Sequence, residues 1–321
     1  MTLLQKASRY TLRMRQKLRK TLLSRSGTVA RFVRYPLPRS EPWRQVVLHL
    51  GRSGGLGDVL MCTPALRELK RLNPACSIRF YTNYQSVVCN LPYIDRVLPF
   101  DDRPDNAIFL GYEDALPPHA HLAKIIGDHI GLEVRDVHPD CNVQSPLLNL
   151  FRERWRHFPQ PIIALQRYAS RWTPNKDWPD EYWIELIERL VLWATVVEIG
   201  ELKSDQSSIQ STSNSNYIDL RGRTSVEELV AAIAASTILI GPISGPIHIA
   251  AAVGIPSVVI YGGYEHPMTT AYERNVNLYT QVACAPCWLR TPCPFNRKCL
   301  TAISPNDVES AVRRVHTSSR T

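Results

Sequence analysis

The sequence predicts an α/β protein made of two consecutive doubly wound halves, and three observations carry that expectation. Short apolar runs suited to buried strands alternate with stretches of helical period from residue 46 onward. The alternation pauses once, at a polar stretch near residues 146–160, and then restarts. The length of 321 residues fits two domains of ordinary size, and 44% apolar with 21% charged residues is the balance of a chain that folds around cores. The expected division is a basic arm and linker over 1–44, a first half over 45–157 and a second half over 158–321.

Val46 to Leu50 reads as a buried strand, followed by a glycine-rich turn from Gly51 to Asp58. The helix after it buries Val59, Leu60, Ala65, Leu66, Leu69 and Leu72. Ser77 to Tyr81, Arg96 to Phe100 and Ile108 to Gly111 complete the first set of strands. Pro146 to Gln160 reads as a connector. Ile162 to Leu165 opens the second half, with a helix over Glu181 to Leu192 and a strand over Val196 to Ile199. Ser225, with Glu228 three residues on, is a capping box that starts a helix running to Ala235. Ile238 to Ile240 and Ser257 to Tyr261 are strands on either side of a helix over Pro246 to Val253, and Asn306 to Val315 is a last helix after Pro305.

The charge is uneven. The net is +9, but residues 1–44 hold 12 Lys and Arg against Glu41, a net of +11, and the remainder is −2. The near-neutral body argues against a nucleic-acid binder, and it shows no nucleic-acid motif. Leu3, Leu4, Ala7, Tyr10, Met14, Leu18 and Leu22 recur at helical spacing among basic residues. That pattern fits a helix lying on an anionic membrane surface through residues 1–34, a solvated arm, or an Arg-rich transit peptide. Residues 35–44, with Pro36, Pro38 and Pro42, read as a linker. The arm lacks the apolar core of a secretory signal, and no uninterrupted apolar run is long enough to span a membrane. The expected location is cytoplasmic, or peripheral at the inner face of the membrane.

Three turns carry candidate chemistry. The Gly51–Asp58 turn follows a buried strand and opens a helix, where open α/β sheets bind ligands. It is neither a dinucleotide fingerprint nor a P-loop. Asp58 there fits a helix cap or a general base facing a cleft. Gly241 to His248 repeats the layout. Ser244 and Gly245 place N–H groups and a helix dipole toward an anion such as a diphosphate, and Pro246 suits a first helical turn. His248 is either a site residue or a satisfied buried histidine. Lys176 is either a phosphate partner or a surface lysine.

Together these segments carry a resemblance. Residues 50–67 (Leu-Gly-Arg-Ser-Gly-Gly-Leu-Gly-Asp-Val-Leu-Met-Cys-Thr-Pro-Ala-Leu-Arg) resemble the N-terminal signature of glycosyltransferase family 9, which contains the ADP-heptose:lipopolysaccharide heptosyltransferases. Lys176-x-Trp178-Pro179, Arg221 to Ser225 with Glu228-Leu229, and Ser244-Gly245-Pro246-x-His248-x-Ala250-Ala251 resemble its later elements. Order and spacing agree over roughly residues 45–316. The resemblance implies a GT-B architecture, two Rossmann-like domains facing a cleft. It also implies inverting, metal-independent sugar transfer from a nucleotide-diphosphate donor to a glycan or lipid-linked glycan, as in lipopolysaccharide biosynthesis.

By this resemblance the donor is ADP-heptose and Asp58 is the base. Gly57, Lys176, Ser244, Gly245, Pro246 and His248 bind the donor. Ribose hydroxyls usually take a carboxylate partner, and Glu201, after Gly200, is the candidate. No cofactor is required for catalysis. Pro242 and Ile243 depart from the family's Gly-Asn-Asp-Ser-Gly, which removes a carboxylate expected near the donor sugar. A catalytically silent nucleotide-sugar-binding homologue is therefore the alternative.

Cys284, Cys287, Cys293 and Cys299 form C-x2-C-x5-C-x5-C. Four thiols so spaced suit one structural zinc or iron, or remain free or disulfide-linked thiols. Cys62, Cys76, Cys89 and Cys141 are scattered, as expected of ordinary packing residues.

Overall fold

A computed structural model describes residues 47–169, 173–202 and 214–318. The basic arm, and the amphipathic helix expected there, lie outside the described residues.

The first half holds β1 (Val47–Arg52), β2 (Ser77–Thr82), β3 (Arg96–Pro99) and β4 (Ile108–Phe109), an all-parallel sheet of order β3-β2-β1-β4. Its helices are α1 (Leu56–Leu60), α2 (Thr63–Leu72), α3 (Gln85–Val88) and α4 (Leu122–His129). The single helix expected after β1 is two. Pro64, in the first turn of α2, has no N–H to give the carbonyl of Leu60, and the Thr63 hydroxyl donates to that oxygen instead, at 2.7 Å.

The expected connector is also a helix, α5 (Ser145–Trp155), with Pro146 in its first turn. Phe151 and Trp155, four residues apart, bury one face, and α5 packs on a helix of the second half. The polar residues that suggested a loop are its solvent side.

The second half holds β5 (Ile162–Leu165), α6 (Asp180–Leu190), β6 (Thr195–Glu198), β7 (Tyr217–Asp219), α7 (Val226–Ala234), β8 (Ile238–Pro242), α8 (Gly245–Ala252), β9 (Ser257–Ile260), β10 (Asn275–Leu278), α9 (Lys298–Thr301) and α10 (Pro305–Ser318). Its six strands are parallel in the order β10-β9-β8-β5-β6-β7, the Rossmann arrangement. The capping box of α7 forms as expected, with Ser225 and Glu228 each accepting the other's backbone N–H.

β5 shows why its strand reads as a continuous apolar run. Ile162 and Ala164 join a core that continues into the first half, while Ile163 and Leu165 face a second core with Trp178, Trp183 and Val312. Each fully buried side chain of this size contributes about 1.5–3 kcal/mol. Covering both faces leaves only the strand ends open to a ligand.

Candidate functional site

Each sheet reverses its winding direction once, between β1 and β4 in the first and between β5 and β8 in the second. Ligands of open α/β sheets bind outside the carboxyl ends of strands at such a point. Here the two points face each other across one cleft of about 540 Å³, lined from both halves. That volume suits a small molecule.

At the first point Asp58 is fixed from three sides. Gly55 is the N-cap of α1, so Asp58 is the third residue in and its carboxylate reaches back, accepting the Gly55 N–H at 2.8 Å. The Tyr112 hydroxyl donates to Oδ1 at 2.6 Å, and Arg52 Nη2 lies 3.2 Å from the same oxygen. The turn permits this because Gly54 has φ +113°, and a Cβ there would stand 2.6 Å from Asp58 Oδ2.

Arg52 is buried. It also pairs with Glu113 at 2.8 Å, donates to the Leu110 carbonyl at 3.2 Å, and lies over the Phe109 and Tyr112 rings. Burial alone would lower its pKa, but Asp58 and the other groups beside it outweigh that and raise it. The Tyr112 phenol is pushed well above its ordinary value by burial and by Asp58, so it remains a donor. A carboxylate held this way, 21% exposed toward the cleft, is placed to take a proton from a bound hydroxyl.

At the second point Ser244 is the N-cap of α8 in extended backbone, and no side chain caps the helix. The Ser244 hydroxyl donates instead to Gln166 Oε1 at 2.5 Å and to the Pro242 carbonyl at 3.1 Å. In that first turn Pro246 has no N–H and the Ile247 N–H already donates to the Ser244 carbonyl at 3.0 Å, so the Gly245 N–H and the helix dipole are what α8 offers the cleft. Gly245 and Pro246 form its first turn as expected.

α1 and α8 touch through glycines. A Cβ on Gly57 would stand 2.6 Å from His248 Cδ2, and one on Gly245 would stand 3.2 Å from Leu56 Cβ. His248 is buried, with Nδ1 2.6 Å from the Tyr272 hydroxyl. Burial first, then the charges of His121 and Lys176, push its pKa down to about 3, so the imidazole is neutral. It is both the packed histidine and a lining residue of the cleft.

Lys176 is no surface lysine. It is 16% exposed, ion-paired to Glu265, and 4.8 Å from the Tyr264 ring centre. Glu201 stands exposed at the rim of the cleft. Deeper, Glu198 is fully buried between Arg167 at 2.6 Å and Arg221 at 3.1 Å.

Arg52, Tyr112, Glu198 and Glu265 escaped the sequence reading. Glu198 carried a usable signal, a charged residue ending an apolar strand. The others reach the cleft only through the fold.

The four clustered cysteines line one small cavity of about 20 Å³ together with Asn175, Gly263 and Tyr264. All four are free thiols, and among the described residues no group of three or more His, Cys, Asp or Glu is gathered closely enough to hold a metal ion. Burial raises the Cys287 thiol pKa, and its cysteine neighbours add to the effect. Cys62 and Cys76 are core residues, Cys89 and Cys141 are half-buried, and none is disulfide-bonded.

No helix among the described residues is long and apolar enough to cross a membrane.

The fold has solved counterparts. A family 9 glycosyltransferase from Veillonella parvula superposes with a TM-score of 0.67 at 17% identity, covering 85% of this chain and 97% of that one. The iron-containing dodecameric heptosyltransferase TibC of enterotoxigenic E. coli, solved with ADP-D-beta-D-heptose, gives 0.66 at 19% identity, covering 86% and 78%. At these identities the likeness is one of fold, and the two facing Rossmann-like sheets are the GT-B architecture.

In sequence, lipopolysaccharide heptosyltransferase 1 of Pseudomonas aeruginosa is 25% identical over 158 residues, 44% of each chain. The chain spans about half the length of the curated relatives it matches. The model of glycosyltransferase family 9 (heptosyltransferase) matches residues 120–297, which takes in Lys176, the start of α8 and three of the four clustered cysteines. With that match over more than half of its length, and with two opposed sheets whose switch points share one cleft, the chain belongs to glycosyltransferase family 9, the heptosyltransferase family.

Proposed function

We propose that the protein is a glycosyltransferase that moves a heptose from ADP-heptose to a glycan or lipid-linked glycan acceptor in one inverting displacement. The observation that carries this reading is the opposition of Asp58 to the uncapped start of α8 across a single cleft. ADP-heptose as donor is supported by the relatives whose names and titles carry heptose.

The donor diphosphate is assigned to the N-terminus of α8 at Ser244 and Gly245, with Lys176 alongside. The Gly245 N–H, helix dipole and ammonium there are preorganised for charge growing on the leaving group. Glu201, at the rim, is assigned to the ribose hydroxyls. The acceptor hydroxyl approaches from the first half and attacks the anomeric carbon as the diphosphate departs, and Asp58 takes its proton. Arg52 and Tyr112 hold the carboxylate in place. These roles ask for no metal in the cleft.

The reading of a silent homologue also has an observation behind it, since Ile243 puts an apolar side chain beside Ser244. Turnover of labelled ADP-heptose against a panel of glycan acceptors, followed by mass spectrometry, tests the function. ADP release with a mass-shifted acceptor supports transfer. Binding without turnover supports the silent homologue, and no binding of any nucleotide-sugar removes the donor assignment.

The four clustered thiols are assigned to one structural zinc or iron. The soft all-sulfur donor set, the shared cavity and the iron named for TibC support this. The sulfurs are not gathered into a ligand set in the structure, so closing one requires them to move. The basic arm, residues 1–34, is assigned to an anionic membrane surface, where a lipid-linked acceptor resides.

A further inference from the structure

Five carboxylates line the cleft among the described residues, and four of them are accounted for. Asp58 and Glu113 are held by Arg52, Glu198 lies between two arginines, and Glu201 is at the exposed rim. Glu265 is different. It is 2% exposed and its ion-pair partner is a lysine, Lys176, through Oε1.

Among the described residues its second oxygen, Oε2, has only long contacts, 3.4 Å from each of the Thr269 and Thr270 hydroxyls. Both hydroxyls have nearer partners. Thr269 donates to the His266 carbonyl at 2.8 Å, and Thr270 is 3.1 Å from the Tyr261 hydroxyl. A buried carboxylate oxygen so weakly satisfied is costly, and a ligand that brings hydroxyl donors removes the cost.

The surroundings narrow the class of ligand. Glu265 offsets the charge that Lys176 would otherwise offer an anion in full, so this corner is close to neutral. It presents acceptor lone pairs and ammonium donors side by side, the complement of neighbouring hydroxyls on one ring. The Tyr264 and Trp288 rings, 5.1 Å apart, line the same cleft and offer an aromatic surface to the C–H face of a sugar. A phosphate would meet Glu265 as a like charge.

We propose that Glu265, paired with Lys176, reads the hydroxyls of the sugar carried by the donor and so sets which sugar is transferred. This rests on the reading of the cleft as a nucleotide-sugar site. Lys176 then stands where phosphate meets sugar, with its ammonium shared between the β-phosphate and Glu265.

The test compares ADP with ADP-heptose by calorimetry in the wild type, Glu265→Gln and Glu265→Asp, using the full chain. The wild type is expected to bind ADP-heptose more tightly than ADP. Glu265→Gln is expected to lower ADP-heptose affinity roughly 10- to 100-fold, the range for a lost hydrogen bond to a charged group. ADP affinity is expected to stay unchanged or rise, because Lys176 is released to the phosphates. ADP binding also reports that the variant is folded.

Should Glu265→Gln not fold, Glu265→Asp keeps the charge and withdraws the oxygens by one methylene. It is expected to lose part of the sugar-dependent affinity alone. Equal losses for ADP and ADP-heptose would show that Glu265 only orders the cleft and would overturn the proposal. Unchanged ADP-heptose affinity, or a wild type that binds both ligands equally, would overturn it too. A wild type that binds neither would bring down the donor-site reading, and the proposal with it.

Discussion

The Tyr112 hydroxyl donates to Asp58 Oδ1 at 2.6 Å, joining the chain that leaves β4 to the chain that leaves β1. The bond spans the switch point of the first sheet. It leaves the carboxylate one orientation, with Arg52 behind it and the cleft in front. Tyr112→Phe is expected to keep the fold and to lower kcat, because a wandering carboxylate spends less time within reach of the acceptor proton. A hydrogen bond to a charged group is worth about 1.5–3 kcal/mol, so the fall is about 10- to 100-fold. Steady-state kinetics with unchanged donor affinity would check it, and an unchanged kcat would contradict it.

Gly57→Ala tests the contact between the halves. The new methyl would stand 2.6 Å from His248 Cδ2, closer than packed atoms allow, so α1 and α8 must part. The expected cost is about 1–3 kcal/mol in urea unfolding, with weaker donor binding. In a His248→Ala background the same substitution is expected to cost less, because the ring it meets is gone. Equal costs in both backgrounds would show that the contact is not the cause.

Much of the site is legible in the sequence, for physical reasons. Strand ends rich in glycine followed by a helix mark ligand sites of α/β sheets, so the turns at Asp58 and Ser244 were found directly. Arg52 was missed because β1 runs to Arg52, past the apolar run that marked it. Glu265 lies in a loop after β9 with no local pattern, and only the packing of that loop on Lys176 gives it meaning. α5 reads as a connector because Pro146 and the charged run Arg152, Glu153, Arg154 and Arg156 mask the helical spacing of Leu147, Phe151 and Trp155.

Two buried neutral histidines make stability depend on pH. Burial is the main cause of both shifts, to about 3 for His248 and about 4 for His121. Histidine in the unfolded chain titrates near ~6.5. The unfolded state therefore binds more protons below that value, and stability, fully present above about pH 6.5, falls as pH drops toward the folded values. The slope is up to about 1.4 kcal/mol per pH unit for each histidine. Urea unfolding between pH 7 and 4, in wild type and His248→Gln, would check it. The variant is expected to show the shallower slope, and identical slopes would contradict the assignment.

The thiol cavity makes a prediction about composition. Protein purified under reducing conditions is expected to carry about one zinc or iron per chain, and Cys287→Ser to lose it with a lower melting temperature. Elemental analysis decides. Metal-free wild-type protein with four titratable thiols in the cluster would end the assignment.

Deletion of residues 1–40 is expected to abolish salt-sensitive binding to vesicles containing anionic lipid and to leave ADP-heptose affinity intact. Loss of donor affinity on deletion would show that the arm belongs to the fold instead.

The central claim is that Asp58 takes the acceptor proton in a transfer from a nucleotide-sugar bound across the cleft. The most direct measurement is turnover of labelled ADP-heptose by wild type and Asp58→Asn, with donor affinity measured on the same samples. The account predicts that kcat falls about 100- to 10,000-fold while donor affinity changes little, as for loss of a general base. Turnover that survives Asp58→Asn undiminished would contradict it.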